Sequence, residues 1–364
     1  MTKKIITFGE IMGRLASPDF LRLRQCHSFD VTYAGAEASV AVSIANFGGD
    51  VDYVSALPKH AIADAALDSL RSFGVNTEYV IRSDVGRLGL YFLETGANQR
   101  PSRVIYDREY STISLTSPWA YNWDEIFKDA GWIHLSGITP ALSSLAAEST
   151  LIAAQQAKSK NIKVSLDLNF RKNLWKWSEN KTSQELAKET MSKILPYIDV
   201  LIANEEDCSD VLDIKADNTD VSKGAIDATK YTQVAKSVCS KFNTISTVAI
   251  TLRESHSATY NSWGAMLYDH KTDRSYFSPL DQDKYSPYEI RSIVDRVGGG
   301  DAFAAGLIYA FQSDEYKDNQ NILNFAIAAS ALKHSIKGDF NYSTKQEVEA
   351  VSYTHLTLPT SDLV

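Results

Sequence analysis

The chain has 364 residues, of which 44% are hydrophobic and 23% are charged, and these proportions are ordinary for a globular protein. This length allows one large α/β domain or two smaller domains. The formal net charge of −8 argues against a nucleic-acid partner, because binding to phosphate backbones requires a basic surface. It does not exclude an anionic small molecule, which a few arginines can hold locally.

The cysteines and the apolar runs indicate a reducing compartment. Cys26, Cys208 and Cys239 are far apart and form no CxxC pair, which fits neither a zinc site nor a disulfide framework. The apolar run within 1–9 breaks at Gly9, so we predict no signal peptide. No run approaches the roughly 18 apolar residues of a membrane span. We therefore expect a cytoplasmic protein without a membrane partner.

Short apolar runs alternate with amphipathic patterns along most of the chain. The apolar runs are typical of buried strands, and the amphipathic patterns are typical of helices. This alternation predicts an α/β fold with a central, mostly parallel sheet covered by helices on both faces. In chain order, the predicted elements are a strand at 5–9, a helix at 36–47, a strand at 51–56, a helix at 61–73, a strand at 132–135, a helix at 144–160, and strands at 163–167, 200–203 and 247–252.

Two regions interrupt this alternation with strand patterns that have no helix between them. Residues 29–33 and 88–108 mix aromatic and charged residues with apolar ones, which predicts a small antiparallel sheet projecting from the main domain. We place its strands within 12–33 and 88–108. The sheet could be a lid over a site, a contact with a second subunit, or an ordinary edge hairpin. Because it exposes apolar residues and is too small to stand alone, we expect a homo-oligomer that pairs through it.

One domain is expected over residues 1–350, because neither an internal repeat nor a low-complexity linker divides them. Residues 351–364 do not continue the pattern. They are rich in threonine and serine and follow a helical pattern at 345–350 abruptly. We interpret them as a tail of unknown role, either disordered or foreign to the natural chain.

The sharpest local signal is the run Gly298, Gly299 and Gly300 directly before a helical pattern at 302–311. Without Cβ atoms, these residues can turn successive backbone N–H groups toward one point. The positive end of the helix dipole lies at the same place. The sequence therefore predicts an anion hole, which suits the charge on a transferring phosphoryl group.

Asp301 follows these glycines in the first turn of the predicted helix. A carboxylate beside an anion hole can accept the proton of an attacking hydroxyl group, which would make Asp301 a general base. The alternative is that Asp301 only complements the helix dipole after a flexible loop. The chain has no GxxxxGK[ST] motif and its glycines lack GxGxxG spacing, which argues against a Walker-type ATPase and a dinucleotide-binding fold.

The segment Asp295–Phe303 resembles the carboxy-terminal signature of the ribokinase-like (PfkB) carbohydrate kinases, usually written DTxGAGDxF. Ala34–Ala41 resembles their amino-terminal signature, again before a helix. The two segments lie about 260 residues apart in the expected order, and the resemblance extends from Ile5 to about Ala350. It implies a ribokinase-like fold with a small β-sheet lid, with ATP as phosphoryl donor and Mg²⁺ as cofactor.

Several stretches, among them 103–108, 135–142 and 167–171, are similar to those members of the family that phosphorylate 2-keto-3-deoxygluconate, a sugar acid. This resemblance implies transfer of a phosphoryl group from ATP to the terminal hydroxyl group of that sugar, with Asp301 as the base and Gly298–Gly300 as the anion hole. The substrate-binding residues that it implies are Gly35, Tyr91, Tyr106, Arg108, Arg171 and, more weakly, Asp339.

The same resemblance implies a nucleotide site. Asp207 would lie near the metal ion and reach it through water. Asp207 stands where the family often has glutamate, and Ser39 replaces the usual asparagine of the first signature, so a sugar contact there would be weaker. The implied nucleotide-binding residues are Asn169, Asn204, Thr251 and Arg253.

Arg108 and Arg171 carry the physical argument for a sugar acid. A buried guanidinium group is costly without a partner, and a carboxylate on the sugar can accept two parallel hydrogen bonds from arginine. The alternative is that these arginines form salt bridges with Asp107, Glu109 or Asp167. Two other functions remain open, namely a PfkB kinase for a neutral sugar such as fructose or ribose, and a sensor that binds sugar without phosphorylating it.

Overall fold

The computed structural model describes residues 3–204, 206–214 and 228–353. Within these residues, no helix has the length and apolar character needed to cross a membrane. The strands are β1 (Lys4–Phe8), β2 (Met12–Ala16), β3 (Asp30–Ala34), β4 (Val51–Pro58), β5 (Val80–Ser83), β6 (Gly89–Glu94), β7 (Arg103–Asp107), β8 (Ala130–Ser136), β9 (Lys163–Asp167), β10 (Val200–Asn204), β11 (Thr247–Ser257), β12 (Tyr260–Asp269), β13 (Arg274–Ser278), β14 (Leu280–Asp281), β15 (Lys284–Tyr285) and β16 (Tyr288–Ile290). The helices are α1 (Ala36–Asn46), α2 (Ala61–Arg71), α3 (Thr112–Leu115), α4 (Trp123–Ile126), α5 (Thr139–Leu142), α6 (Ser144–Ser159), α7 (Ser183–Ile194), α8 (Asp207–Leu212), α9 (Ala228–Lys241), α10 (Gly299–Gln312), α11 (Asn319–Lys333) and α12 (Lys345–Tyr353).

The main sheet confirms the predicted α/β class. Its order is β13-β12-β11-β10-β9-β8-β1-β4-β5, and β16 also pairs with β12. The strands from β11 to β5 in this order run parallel to their neighbours, whereas β12 is antiparallel to β11, and β13 and β16 are antiparallel to β12. The predicted strands of the main sheet all lie in its parallel part, in which the edge strand β5 was not predicted. The antiparallel extension beyond β11 was not predicted.

Two hydrophobic cores lie on opposite faces of this sheet. Successive side chains of a strand point to opposite faces, so neighbouring residues of β1 enter different cores. Ile6 and Phe8 pack with α6, α7 and α9, whereas Ile5 packs with α1, α10 and α11. Because helices cover both faces, the carboxyl ends of the parallel strands are the accessible edge at which a site can form.

The second sheet has the strand order β3-β2-β6-β7 and confirms the predicted small separate sheet, here called the lid sheet. The prediction that it is antiparallel is wrong for one pair. β2 runs antiparallel to β3, and β6 runs antiparallel to β7, but β2 runs parallel to β6. Parallel pairing requires a long crossover, and the chain supplies one because it passes through α1, β4, α2 and β5 between these two strands.

The last described helix, α12, runs to Tyr353, so the first three residues of the predicted tail belong to a helix. Val348 on this helix is fully buried and packs in the core that contains α10 and α11. The rest of the predicted tail, 354–364, lies outside the described residues.

Candidate active site

A cavity of about 440 Å³ lies between the carboxyl edge of the main sheet and the lid sheet. It brings together residues that are far apart in the sequence, from β2 to the loop before α12. Of the predicted site residues, Gly299 alone is not part of its lining. The predicted residues that line it are Gly35, Tyr91, Tyr106, Arg108, Asn169, Arg171, Asn204, Asp207, Thr251, Arg253, Gly298, Gly300, Asp301 and Asp339.

Gly298 caps α10 in a left-handed conformation, with φ +85°. A Cβ atom there would lie 2.1 Å from the carbonyl oxygen of Asp339, so both the conformation and the space require glycine. Gly300 is open to the cavity, whereas a Cβ on Gly299 would lie 2.9 Å from the ring of His334. The first N–H groups of a helix have no acceptor within the helix. The turn therefore presents the amino terminus of α10 to the cavity.

Asp301 lies in the first turn of α10 and lines the cavity. Burial raises its pKa well above the ordinary value for aspartate, and the nearby carboxyl groups of Asp167 and Asp339 raise it further. A carboxylate with a raised pKa is a stronger base once it has lost its proton.

Two more aspartates line the cavity where β9 and β10 end. Burial raises the pKa of Asp167 to about 7, with a further contribution from the charge of Asp207, and burial raises the pKa of Asp207 to about 6. Asp207 accepts backbone N–H groups from Phe170 and Asn204, each at 3.2 Å. Because both of its oxygens already have donors, Asp207 fits a role in which it reaches a metal ion through water. Asp167 was not predicted as a site residue, although it begins one of the stretches quoted above.

The described residues contain no group of three or more His, Cys, Asp or Glu side chains that could hold a metal ion alone. Mg²⁺ usually keeps several waters and takes one or two carboxylates together with the phosphates of a nucleotide. Asp207 and Asp167 are the carboxylates that such an ion would approach.

Arginines on the β11 side of the cavity give it a positive wall. Arg253 follows Thr251 on β11, and Arg296 lies beside it. Arg296 donates to the carbonyl oxygen of Ala258 at 2.7 Å and to Oδ1 of Asn261 at 3.0 Å. Burial lowers the pKa of Arg296, and the charge of Arg253 lowers it further. Arg296 was not predicted as a site residue, although it lies inside the glycine-rich signature.

Arg108 forms a buried ion pair with Glu10, a residue that the sequence analysis missed. Its Nε donates to Glu10 Oε2 at 2.7 Å, and its Nη2 also contacts that oxygen. Arg108 thus forms the salt bridge that the alternative described, but with a different partner, since Asp107 pairs with Arg87 at 2.7 and 2.9 Å. The guanidinium group also lies 5.5 Å from the ring centre of Tyr106. The charge of Arg108 is therefore already balanced within the protein.

Arg171 differs from Arg108 in that the structure records no ion pair between it and a described residue. Its side chain is exposed, and its Nη1 donates to the backbone carbonyl of Phe170 at 3.3 Å. Its positive charge counteracts the burial that raises the pKa of Asp167, Asp207 and Asp301. Arg171 is thus a cation of the cavity that can receive an anionic group of a ligand.

A second buried ion cluster lies behind the glycine-rich turn and was also missed. Arg14, on β2, donates to Asp339 and to Oδ2 of Asp295, the latter at 2.5 Å. Tyr91 donates its hydroxyl group to the same oxygen of Asp339 at 2.6 Å. Asp339 lines the cavity, and one of its oxygens is occupied by these two donors.

Comparisons with known proteins identify the family of this chain. Residues 2–343 match the model of the pfkB family of carbohydrate kinases. A 2-dehydro-3-deoxygalactonokinase from Haloferax volcanii is 30% identical over 351 residues, which are 96% of this chain and 97% of that protein. The crystal structure of a 2-dehydro-3-deoxygluconokinase from Thermotoga maritima is 44% identical, covers 96% of this chain and 99% of its own, and superposes with a TM-score of 0.87.

A fructokinase from Xylella fastidiosa with bound ATP has the same fold, with 21% identity, coverage of 96% and 98%, and a TM-score of 0.73. The chain belongs to the pfkB family of carbohydrate kinases. It is therefore an enzyme whose family uses ATP as phosphoryl donor, and the predicted ribokinase-like fold is confirmed.

Replacing the carboxyl group of Asp301 should stabilise the folded protein at neutral and alkaline pH. The raised pKa means that the folded state loses the Asp301 proton less readily than the unfolded state, so ionisation costs stability as the pH rises through the folded-state pKa. In Asp301→Asn, we expect Tm at pH 8 to rise by about 2 °C or more. The gain should shrink as the pH falls toward the ordinary aspartate pKa of about 3.9.

The measurement is calorimetry of both proteins without ligands between pH 5 and pH 8. Asp68→Asn is the control, because Asp68 is 72% exposed on α2 and should show no such dependence on pH. A gain from Asp301→Asn that is constant across this range would contradict a raised pKa at Asp301.

Proposed function

We propose that this kinase transfers the γ-phosphoryl group of ATP to the terminal hydroxyl group of 2-keto-3-deoxygluconate, giving its 6-phosphate and ADP. The observation that supports this most strongly is that one cavity contains both a glycine-capped helix terminus carrying Asp301 and an arginine, Arg171, that can receive a carboxylate. The names of the relatives from Haloferax volcanii and Thermotoga maritima support a sugar acid of this kind.

In this proposal Asp301 is the general base. The hydroxyl oxygen of the sugar attacks the γ-phosphorus, the bond to the β-phosphate oxygen breaks, and Asp301 accepts the hydroxyl proton as the new P–O bond forms. The N–H groups at Gly298 and Gly300, with the dipole of α10, would stabilise the negative charge on the transferring group. The electrostatic effect is strong here because the turn lies against buried protein.

The carboxylate of the sugar would bind to Arg171. A guanidinium group can donate two parallel hydrogen bonds to a carboxylate, and Arg171 has no competing ion pair with a described residue. Arg108 would contribute hydrogen bonds and shape more than net charge, since Glu10 balances its charge.

Gly35 must lack a side chain, because a Cβ atom there would lie 2.0 Å from the carbonyl oxygen of Glu10. Tyr91 and Tyr106 would close the sugar pocket from the lid sheet.

The nucleotide would occupy the part of the cavity near β10 and β11. Asn169, Asn204 and Thr251 offer hydrogen-bonding groups there, and Arg253 offers a charge for the phosphates. Magnesium would supply charge neutralisation across the phosphates when bound, and Asp207 would hold its water shell.

The galactonate epimer is a second candidate substrate. The Haloferax volcanii relative is named for 2-dehydro-3-deoxygalactonate and aligns over nearly the whole chain. The carboxylate that Arg171 would bind is the same in the two epimers, so this contact alone cannot separate them. We include both sugars in the proposal as a single substrate class, the 2-keto-3-deoxy sugar acids.

The lid sheet would also pair with a second copy of the chain. Its strands expose apolar side chains, with relative exposures of 58% for Val31, 40% for Val104 and 41% for Ile105. Exposed apolar strands in a small sheet are commonly covered by another chain. We therefore propose a homo-oligomer whose subunits meet through this surface.

Asp301→Asn should abolish most turnover while leaving ligand binding in place. Removing a general base typically lowers the rate by about 10²-fold to 10⁴-fold, and asparagine has nearly the same shape as aspartate. We expect kcat to fall by this amount, and the sugar and ATP should still bind by titration calorimetry. Asp68→Asn, an exposed change of the same type, should keep the kcat of the unmodified enzyme. A kcat in Asp301→Asn within about threefold of normal would refute the assigned base.

Arg171→Met should raise the KM for 2-keto-3-deoxygluconate by about 10-fold to 100-fold, because hydrogen bonds to charged groups contribute about 1.5–3 kcal/mol. The KM for ATP should change far less. Lys172→Met is the matched control, because Lys172 is the exposed neighbouring residue and does not line the cavity. An equal rise in both KM values, or a rise for ATP alone, would place Arg171 on the phosphates and contradict its assignment to the sugar carboxylate.

A further inference from the structure

The guanidinium group of Arg14 joins the two parts of the molecule that enclose the cavity. Arg14 belongs to β2 of the lid sheet, yet its side chain reaches Asp295 and Asp339, which belong to the main domain. It is 2% exposed and does not line the cavity, so it cannot touch a ligand there. Any effect of Arg14 on the reaction must therefore be exerted through Asp295 and Asp339, the residues that it contacts.

The two aspartates held by Arg14 lie against the glycine-rich turn, Asp295 through its carboxylate and Asp339 through its backbone carbonyl group. Oδ1 of Asp295 accepts the N–H of Val297 at 3.1 Å, and Oδ2 accepts the N–H of Gly338 at 3.1 Å. The carbonyl oxygen of Asp339 occupies the space where a side chain of Gly298 would lie. The separation of these two aspartates therefore fixes how the chain enters α10 and which way its first N–H groups point.

Arg14 also balances the negative charges of Asp295 and Asp339. The buried side chain of Lys333 is the other cation nearby, and its Nζ donates to the carbonyl oxygen of Ile336 at 3.0 Å. Burial lowers the pKa of Lys333, while Asp295 and Asp339 counteract that effect. Among the described residues, Arg14 is the cation that contacts both carboxylates directly.

A second strand of the lid sheet, β6, also contacts Asp339. Tyr91, on β6, donates to the oxygen of Asp339 that Arg14 contacts. Asp339 thus receives one hydrogen bond from each of two neighbouring lid strands. A shift of the lid sheet relative to the main domain would disturb these bonds together, and with them the turn that carries Gly298.

We propose that Arg14 is a positioning residue for phosphoryl transfer. Its planar guanidinium group holds Asp295 and Asp339 at one spacing, and this fixes the amino terminus of α10 relative to the lid sheet. The inference rests on the proposed function of the glycine-rich turn as an anion hole, but not on the identity of the sugar. Arg14, a residue outside the cavity, would thus affect the rate of the chemical step and not the affinity for either substrate.

Arg14→Lys tests this proposal without leaving two buried carboxylates beside an empty position. Lysine keeps the charge, but its ammonium group is a compact point charge and cannot bridge two carboxylates with a planar fork. A misplacement of about 1 Å can reduce a rate about 10²-fold. We expect kcat to fall by about 10-fold to 100-fold, while the KM for ATP and for the sugar stay within about threefold of normal.

The matched control is Arg87→Lys. Arg87 forms an ion pair with Asp107 through two hydrogen bonds at the exposed rim of the lid sheet. The Arg87→Lys substitution therefore removes the same kind of contact without affecting the glycine-rich turn. Its kcat should equal that of the unmodified enzyme. Each kcat is expressed per nucleotide-binding site, counted by calorimetric titration with ADP, so that loss of folded Arg14→Lys protein does not appear as a loss of rate.

Two results would overturn the proposal. One is a kcat per site for Arg14→Lys within twofold of normal, even with a lower Tm, which would make the cluster a structural ion pair only. The other is a rise in the KM for the sugar with unchanged kcat, which would assign the cluster to sugar binding. Asp301→Asn separates this failure from failure of the proposed function, because normal turnover in that variant would refute Asp301 as the general base whatever Arg14 does.

Discussion

The site depends on keeping several carboxylates close together at the carboxyl edge of the sheet, away from bulk water. Burying a charge is costly unless a partner balances it. Asp295 and Asp339 are balanced by Arg14, and they hold the glycine-rich turn in place. Asp167 and Asp301 have no such direct partner among the described residues, and burial raises the pKa of each. The pair balanced by Arg14 is suited to holding structure, and the two without such a partner are suited to chemistry.

The same division holds for the arginines. Arg14 is buried in ion pairs with Asp295 and Asp339. Arg108 is buried in an ion pair with Glu10. Arg171 reaches the cavity without an ion pair to a described residue, so an anionic substrate would complete its interactions. Selectivity for a sugar acid would then come mainly from one guanidinium group, while the paired arginines shape the pocket around it.

Local patterns predicted most strands of the parallel sheet, the glycine-rich turn and the helices α1, α2, α6, α10 and α12, because each of these signals lies in neighbouring residues. Helix α6, for example, was predicted at 144–160 and runs from Ser144 to Ser159. Arg14 and Glu10 were missed because their partners, Asp339 and Arg108, lie 325 and 98 positions away. The hairpin of β11 and β12 was missed because β11 continues past Leu252 through polar residues that interrupt the apolar run. The parallel pairing of β2 with β6 depends on a long crossover, which no local pattern reports.

The most direct test is ADP release, measured by a coupled assay with ATP and Mg²⁺. It compares 2-keto-3-deoxygluconate and its galactonate epimer with fructose, ribose and adenosine. If Arg171 binds the carboxylate of the substrate, we expect turnover with one or both sugar acids and far slower turnover with the neutral compounds. Turnover on a neutral sugar equal to that on the sugar acids would leave the kinase fold and Asp301 in place, but it would contradict recognition of a carboxylate by Arg171.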